Sequence, residues 1–201
     1  MTPELPDLGP HEVIVSLPDL ELDDLVPACE VLCQEGFRLW SLPITRLADL
    51  PGLLRIFGRR AKAGVHDVTE PAQVVAAEAA GAVFAASTYL LPELIAAAPQ
   101  FPVILGGFTP SELRAGLTAG AAAVQLVPTE AFGTAYARTL PQLVPPGTLI
   151  ATGRLERYQA ELWLEGGAIG VWPTALVVAS LATGENLDGL RVQLQLWRLH
   201  D

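Results

Sequence analysis

The sequence predicts an α/β protein built as one (β/α)8 barrel of the TIM type, and three observations lead there. First, one local pattern recurs: an amphipathic run ends in glycine and a short apolar segment follows. It reads Cys33-Gln-Glu-Gly36-Phe-Arg-Leu-Trp40, Glu78-Ala-Ala-Gly81-Ala-Val-Phe-Ala85, Leu117-Thr-Ala-Gly120-Ala-Ala-Ala-Val124 and Leu164-Glu-Gly-Gly167-Ala-Ile-Gly-Val171. Glycine suits the left-handed residue that closes a helix. The short apolar segment after it suits a parallel strand buried on both faces. Second, these glycines lie roughly 40 to 50 residues apart, which leaves room for two βα units per interval. Third, 201 residues with 51% hydrophobic content supply the core of one compact domain. Strict alternation of strand and helix implies a parallel sheet, and eight units in a row imply closure. An open doubly wound sheet is the rival.

Taken in order, the first strand falls near 12–17 and the first helix near 21–35. That helix carries the two cysteines, Cys29 and Cys33, on one face at i, i+4. The spacing is neither a redox pair nor half of a zinc site, so they are expected as two buried thiols. Strands follow near 38–42, 61–66, 82–87, 102–106, 122–127, 148–152 and 168–172, with helices near 47–58, 70–80, 91–98, 110–119, 130–140, 156–165 and 174–182. Thr69 is expected to cap the third helix. Thr109, Pro110 and Glu112 open the fifth with capping-box spacing. Glu130 begins the sixth, where a carboxylate complements the helix dipole. The tail, Leu190-Arg-Val-Gln-Leu-Gln-Leu-Trp-Arg-Leu199, alternates with period two and reads as a strand. The barrel is therefore expected over 1–183, with a strand-like tail over 184–201 packed on it or on a neighbouring subunit.

The formal net charge is -10, the isoelectric point is about 4.7 and the mean hydropathy is +0.39. Nucleic-acid binding is not expected, because a polyanion requires clustered Lys and Arg. The one basic cluster, Arg59-Arg-Ala-Lys62, reads as a solvated turn beside a strand. No apolar run reaches membrane-spanning length, and the N-terminus, Met-Thr-Pro-Glu-Leu-Pro-Asp, lacks the basic and apolar regions of a signal peptide. A cytoplasmic protein is the expectation.

In such a barrel the chemistry gathers at the C-terminal ends of the strands and in the loops after them. Those positions carry Ser16, Ser41, Thr45, Arg46, His66, Asp67, Ser87, Gln125, Thr129, Glu130, Thr152, Arg154 and Thr174. His66 and Asp67 are the only adjacent imidazole and carboxylate among them. They suit a general base, a divalent-metal ligand pair, or local hydrogen bonding with Asp67 capping the next turn. The chain has three histidines, two of them near the termini, so no metal site and no cofactor are expected.

Four segments carry a resemblance: Glu35-Gly-Phe-Arg-Leu-Trp-Ser41; Pro102-Val-Ile-Leu-Gly-Gly-Phe-Thr-Pro-Ser-Glu-Leu113; Ala119-Gly-Ala-Ala-Ala-Val-Gln-Leu-Val-Pro-Thr-Glu130; and Gly166-Gly-Ala-Ile-Gly-Val171. In order and spacing they resemble the second, fifth, sixth and eighth strands of the 2-keto-3-deoxy-6-phosphogluconate (KDPG) and 4-hydroxy-2-oxoglutarate aldolases. That family cleaves carbon–carbon bonds through a lysine Schiff base on the sixth strand, assisted by a glutamate on the second. The resemblance places Gln125 at the lysine, Ser41 at the glutamate and Thr45 at a following arginine, with Arg46 adjacent as a substitute carboxylate clamp. Thr152-Gly-Arg154 stands at a glycine-rich turn, and Trp172-Pro-Thr174 at a phosphate-binding Gly-Ser. Proline removes a backbone donor there and the indole fills space.

A primary amide forms no imine, because its nitrogen lone pair is delocalised into the carbonyl. The only lysine, Lys62, falls at the start of the third strand, about 15 Å from the mouth at about 3.3 Å per residue. The resemblance therefore implies an aldolase-like protein without class I aldolase chemistry. It is expected to bind a small anionic oxo- or hydroxy-acid, or to be a structural homologue, and to form a homotrimer as the family does. Two alternatives stand beside it: an isomerase or metal-assisted lyase using His66 and Asp67, and a weak carbon–carbon lyase acting on 2-keto-3-deoxy sugar acids.

Overall fold

The computed structural model describes residues 3–182 and 186–199, and within them eight parallel strands alternate with helices. The strands are β1 (Ile14–Ser16), β2 (Leu39–Pro43), β3 (Lys62–His66), β4 (Ala85–Ser87), β5 (Val103–Gly107), β6 (Ala123–Leu126), β7 (Leu149–Gly153) and β8 (Gly170–Pro173). Each pairs with the next in sequence order. A parallel bridge between Val13 and Val171, with the Val171 N–H donating to the Glu12 carbonyl at 2.9 Å, joins the last strand to the first. The fold is a (β/α)8 barrel in a single domain.

The helices are α1 (Leu22–Gln34), α2 (Leu50–Phe57), α3 (Pro71–Ala79), α4 (Glu93–Ala97), α5 (Pro110–Thr118), α6 (Thr134–Thr139), α7 (Arg157–Gly166), α8 (Ala179–Ala182) and α9 (Leu187–Leu196). The helix-closing glycines behave as their positions imply: Gly36, Gly81, Gly120 and Gly167 all have φ between 85° and 110°. Glu112 closes the predicted capping box at α5, accepting from the Phe108 and Thr109 N–H groups at 2.8 Å. These hydrogen bonds, with one from the Thr109 hydroxyl, hold its carboxyl below the ordinary carboxylate range. At α3 the cap moves one residue, to Glu70. There Gln73 Oε1 accepts from the Thr69 and Glu70 N–H groups, so Thr69 contributes its backbone rather than its hydroxyl. The two cysteines are free, Cys29 fully buried and Cys33 partly so. Burial pushes both thiols up.

Four helices are shorter than their patterns suggest: α2 and α4 lose a few residues at their ends, and α6 and α8 lose their first turn or more. Residues 129–131 form a separate 3-10 turn before α6, and Glu130 turns away from the helix start to accept the Arg154 N–H at 3.0 Å. After β8 the chain stays non-helical to residue 178, because Thr174 donates its N–H to Gly153 at 2.9 Å instead of entering a helix.

The tail is a helix, not the predicted strand. Leu190 and Leu194 face inward, Trp197 just beyond them is buried, and Val192 and Leu196 are exposed. The period-two run therefore contains a helical stripe at i, i+4, i+7. What selects helix is a non-local anchor. Glu35, at the end of α1 and 4% exposed, receives Arg191 at 2.9 Å and Arg198 at 2.7 Å.

The barrel interior is filled by Ile14, Leu39, Phe84, Ala86, Ile104, Ala123, Ile150 and Trp172. β3 contributes Gly64, whose missing side chain admits the Phe84 ring; a Cβ there would stand 2.5 Å from it.

Candidate functional site

Side chains alternate along each strand, so Ser16, Ser41, His66, Gln125, Thr152 and Trp172 form the inward layer nearest the C-terminal mouth. Register brings them level: Ser16 lies beside Ser41, Gly106 beside Gln125, and Thr152 beside Trp172.

Trp172 decides the shape of this layer. Its indole leaves β8 and meets Phe84, the residue just before β4 across the barrel, edge-on at a centroid distance of 5.7 Å. It also meets the His66 ring at 6.1 Å and donates its Nε1–H to Ser16 Oγ at 2.7 Å. At 2% exposure it spans the barrel axis as a plug. On the other side, Gln125 is also 2% exposed, and its Nε2 donates to the Ser87 carbonyl at 2.8 Å. That amide crosses β5 at Gly106, which packs so closely on the turn after β4 that a Cβ would lie 2.2 Å from the Thr88 carbonyl oxygen. Gln125 thus lies inside the barrel under a turn of main chain. Thr152 beside it is 3% exposed, and its Oγ1 has no hydrogen-bond partner among the described residues.

With the axis filled, the open space is lateral. A cleft of about 550 Å³ lies over β1, β2, β3 and the loop after β8. It collects five of the residues named from the sequence, Ser16, Thr45, His66, Asp67 and Thr174, together with Asp19. Leu17, Pro18, Pro43, Ile44, Val177 and Val178 form its apolar wall. His66 links cleft to barrel. A hydrogen bond of 2.8 Å joins its Nδ1 to Ser41 Oγ, and its Nε2 faces the Asp67 carboxylate at 3.8 Å. Asp67 is held with φ at 61°, in the left-handed region. A neutral ring protonated on Nε2 satisfies both contacts, with the Ser41 hydroxyl donating to Nδ1.

The other named residues sit elsewhere. Arg46 forms ion pairs with Asp49 at 2.5 Å, Glu21 at 2.8 Å and Asp19 at 3.7 Å. Three carboxylates therefore share its charge. Within the cleft, the hydroxyl of Thr45 donates to Asp19 at 3.0 Å. Thr129 is buried, its hydroxyl shared between the Leu126 carbonyl at 3.1 Å and that of Thr152. Arg154 is exposed and lines a groove against Leu176 and Trp197. Sequence reasoning missed the Ser41–His66 bond, the Asp19 contribution and the reach of Trp172 to Phe84. The large indole at a strand end was the one local signal for the last.

Burial pushes the His66 imidazole below its ordinary value of 6.5, with the Asp67 charge partly opposing it. The folded protein thus resists protonation at His66 more than the unfolded chain does. Its stability is intact above pH 6.5 and falls as the pH descends from 6.5 toward the folded-state value. Urea midpoints measured at pH 7.5 and pH 5 should fall further for the native protein than for His66→Asn. Equal falls would show that this ring does not couple to folding.

Among the described residues no three His, Cys, Asp or Glu side chains cluster to hold a metal ion, and no helix is long and apolar enough to cross a membrane.

Comparison with known proteins gives a consistent picture. The sequence pattern of the aldolases described as "KDPG and KHG aldolase" matches residues 11–191. The 2-dehydro-3-deoxy-6-phosphogalactonate aldolase of Escherichia coli (strain K12) is 24% identical over 164 residues, covering 79% of this chain and 80% of that protein. Among solved structures, a native KDPGal structure superposes with a TM-score of 0.82 at 23% identity, over 92% of this chain and 91% of that one. A KDPG aldolase from Legionella pneumophila, captured with pyruvate as a covalent carbinolamine intermediate, gives 0.74 at 24% identity, over 95% and 93%.

Proposed function

Since the chain belongs to the KDPG and KHG aldolase family, we propose that it is a member without imine chemistry, and that its mouth is a binding cleft for a small oxo- or hydroxy-acid. The carrying observation is where its one lysine lies. A Schiff base on a side chain requires a primary amine, and Lys62 is the only lysine in the chain. It opens β3 at the N-terminal end of the barrel, four residues before His66 at the mouth, so about 13 Å of strand separates them. At the sixth-strand position stands Gln125, buried and bonded to Ser87.

The lateral cleft supports binding rather than cleavage. It offers the hydroxyl of Thr174, the His66 imidazole and an apolar wall, features that suit a ligand with hydroxyl or carbonyl groups. Charge opposes an acid here, because Asp19 and Asp67 line the cleft and Arg46 is already shared among Asp19, Glu21 and Asp49. Recognition therefore rests on hydrogen bonds at the rim.

The test is borohydride trapping with pyruvate, followed by intact-protein mass measurement. No mass increase is expected. A reduced adduct, on Lys62 or elsewhere, overturns the reading. So does retro-aldol release of pyruvate from 2-keto-3-deoxy sugar acids by clean protein, which would favour the weak-lyase alternative.

One observation favours a second reading. Ser41, His66 and Asp67 form a contiguous chain whose imidazole Nε2 faces the cleft, an arrangement suited to proton transfer in an isomerase. It predicts deuterium wash-in at carbon beside a ligand carbonyl, abolished in His66→Asn; no wash-in in the native protein removes it.

A further inference from the structure

We propose that the N-terminal end of the barrel carries a binding site for a small phosphorylated anion, independent of whatever the mouth binds. A cleft of about 250 Å³ opens there beside the starts of β2 and β3. Arg38, Arg59, Arg60 and Lys62 line it, with Asp7 on the far wall. A third of the chain's twelve basic side chains, including its only lysine, thus converge on one small concavity in a protein of net charge -10.

Sharing one concavity sets these four apart, since Arg55, Arg114, Arg138 and Arg154 likewise make no ion pair among the described residues but do not gather there. Elsewhere Arg46, Arg157, Arg191 and Arg198 are each tied to carboxylates. Here only Arg60 is tied. Glu30 accepts from both its guanidinium nitrogens, at 2.8 and 2.9 Å, and the group stands 5.2 Å from the centre of the Phe57 ring. Arg60 is thereby held as a fixed wall. Arg38, Arg59 and Lys62 are exposed and make no ion pair among the described residues. Asp7 is engaged by the Gly9 N–H at 3.0 Å. Set against Asp7 and Glu30, the four cations leave an excess of two positive charges. A phosphate monoester carries about -1.5 to -2 at neutral pH and offers three acceptor oxygens, so it matches that excess. Arginine adds a planar fork suited to phosphate oxygens. The mouth cleft is the opposite case, since its charged side chains are Asp19 and Asp67 and its imidazole is held neutral. Glu4, Asp7 and Glu12 line a larger cleft across the same end, so the positive charge is confined to the concavity beside β2 and β3, and a small anion is drawn there.

The site is tested with the full chain by isothermal titration with glycerol 3-phosphate and inorganic pyrophosphate at low salt. Saturable one-to-one binding is expected, weaker as salt rises because the cations are exposed. The double variant Arg59→Glu, Lys62→Glu should lower affinity at least about tenfold, with an unchanged thermal midpoint. The control Arg114→Glu, Arg138→Glu makes the same change in net charge on α5 and α6 and should leave affinity within about twofold. Absence of saturable binding, or an equal loss in the control pair, would overturn the proposal. Neither outcome bears on imine trapping at the mouth.

Discussion

Replacing Trp172 by alanine should destabilise the fold by about 3–5 kcal/mol, the range for deleting a large buried aromatic side chain. The indole is 2% exposed, packs edge-on against Phe84 across the axis and satisfies its own N–H on Ser16. Its neighbours are strand residues held by their ladders, so they collapse little into the gap. At about 2–4 °C per kcal/mol for a domain of this size, the thermal midpoint should drop by about 6–20 °C. The variant also joins the lateral cleft to the space above Gln125 and Thr152. Added indole should therefore bind the new cavity and recover part of the lost midpoint, as apolar cavities accept small aromatics. A loss below about 1 kcal/mol, with no response to indole, would mean that Trp172 does not fill the axis.

Removing the Glu35 carboxylate should release α9. Glu35→Ala deletes the acceptor shared by Arg191 and Arg198 and is expected to cost about 2–3 kcal/mol, the scale of hydrogen bonds to charged groups. The larger penalty for orphaned buried charges does not apply, because the two arginines are 40% and 36% exposed and can turn to water. The effect should be local. Amides of residues 187–196 should exchange faster while those of β5 and β6 keep their protection. Glu35→Gln should fall between the two, since it keeps the shape and loses the charge. Exchange rising equally in the strands and the tail would show that α9 is part of the global unfolding unit.

The two variants mark different kinds of legibility. The Glu35 anchor was invisible in the sequence, because Glu35 lies more than 150 positions from both arginines it holds. Period-two spacing in the tail reads as a strand, although the same residues contain a helical stripe. Arg46 was equally ambiguous. Its place after β2 suggested a carboxylate clamp, and only packing brought Asp19, Glu21 and Asp49 around it. His66 beside Asp67 was legible as a pair, but its bond to Ser41 depends on the β2–β3 register.

By itself the sequence determined the alternation of strand and helix, the glycine stops, the capping box at Thr109 and the placing of the single lysine at the start of β3. These follow from local backbone preference and periodicity, which act within a few residues. Only the tertiary structure decided that Trp172 crosses the barrel, that Gln125 lies beneath the turn after β4, and that the tail is helical. Those outcomes depend on which side chains from distant strands compete for one enclosed volume, and close packing settles that competition only once the sheet has closed.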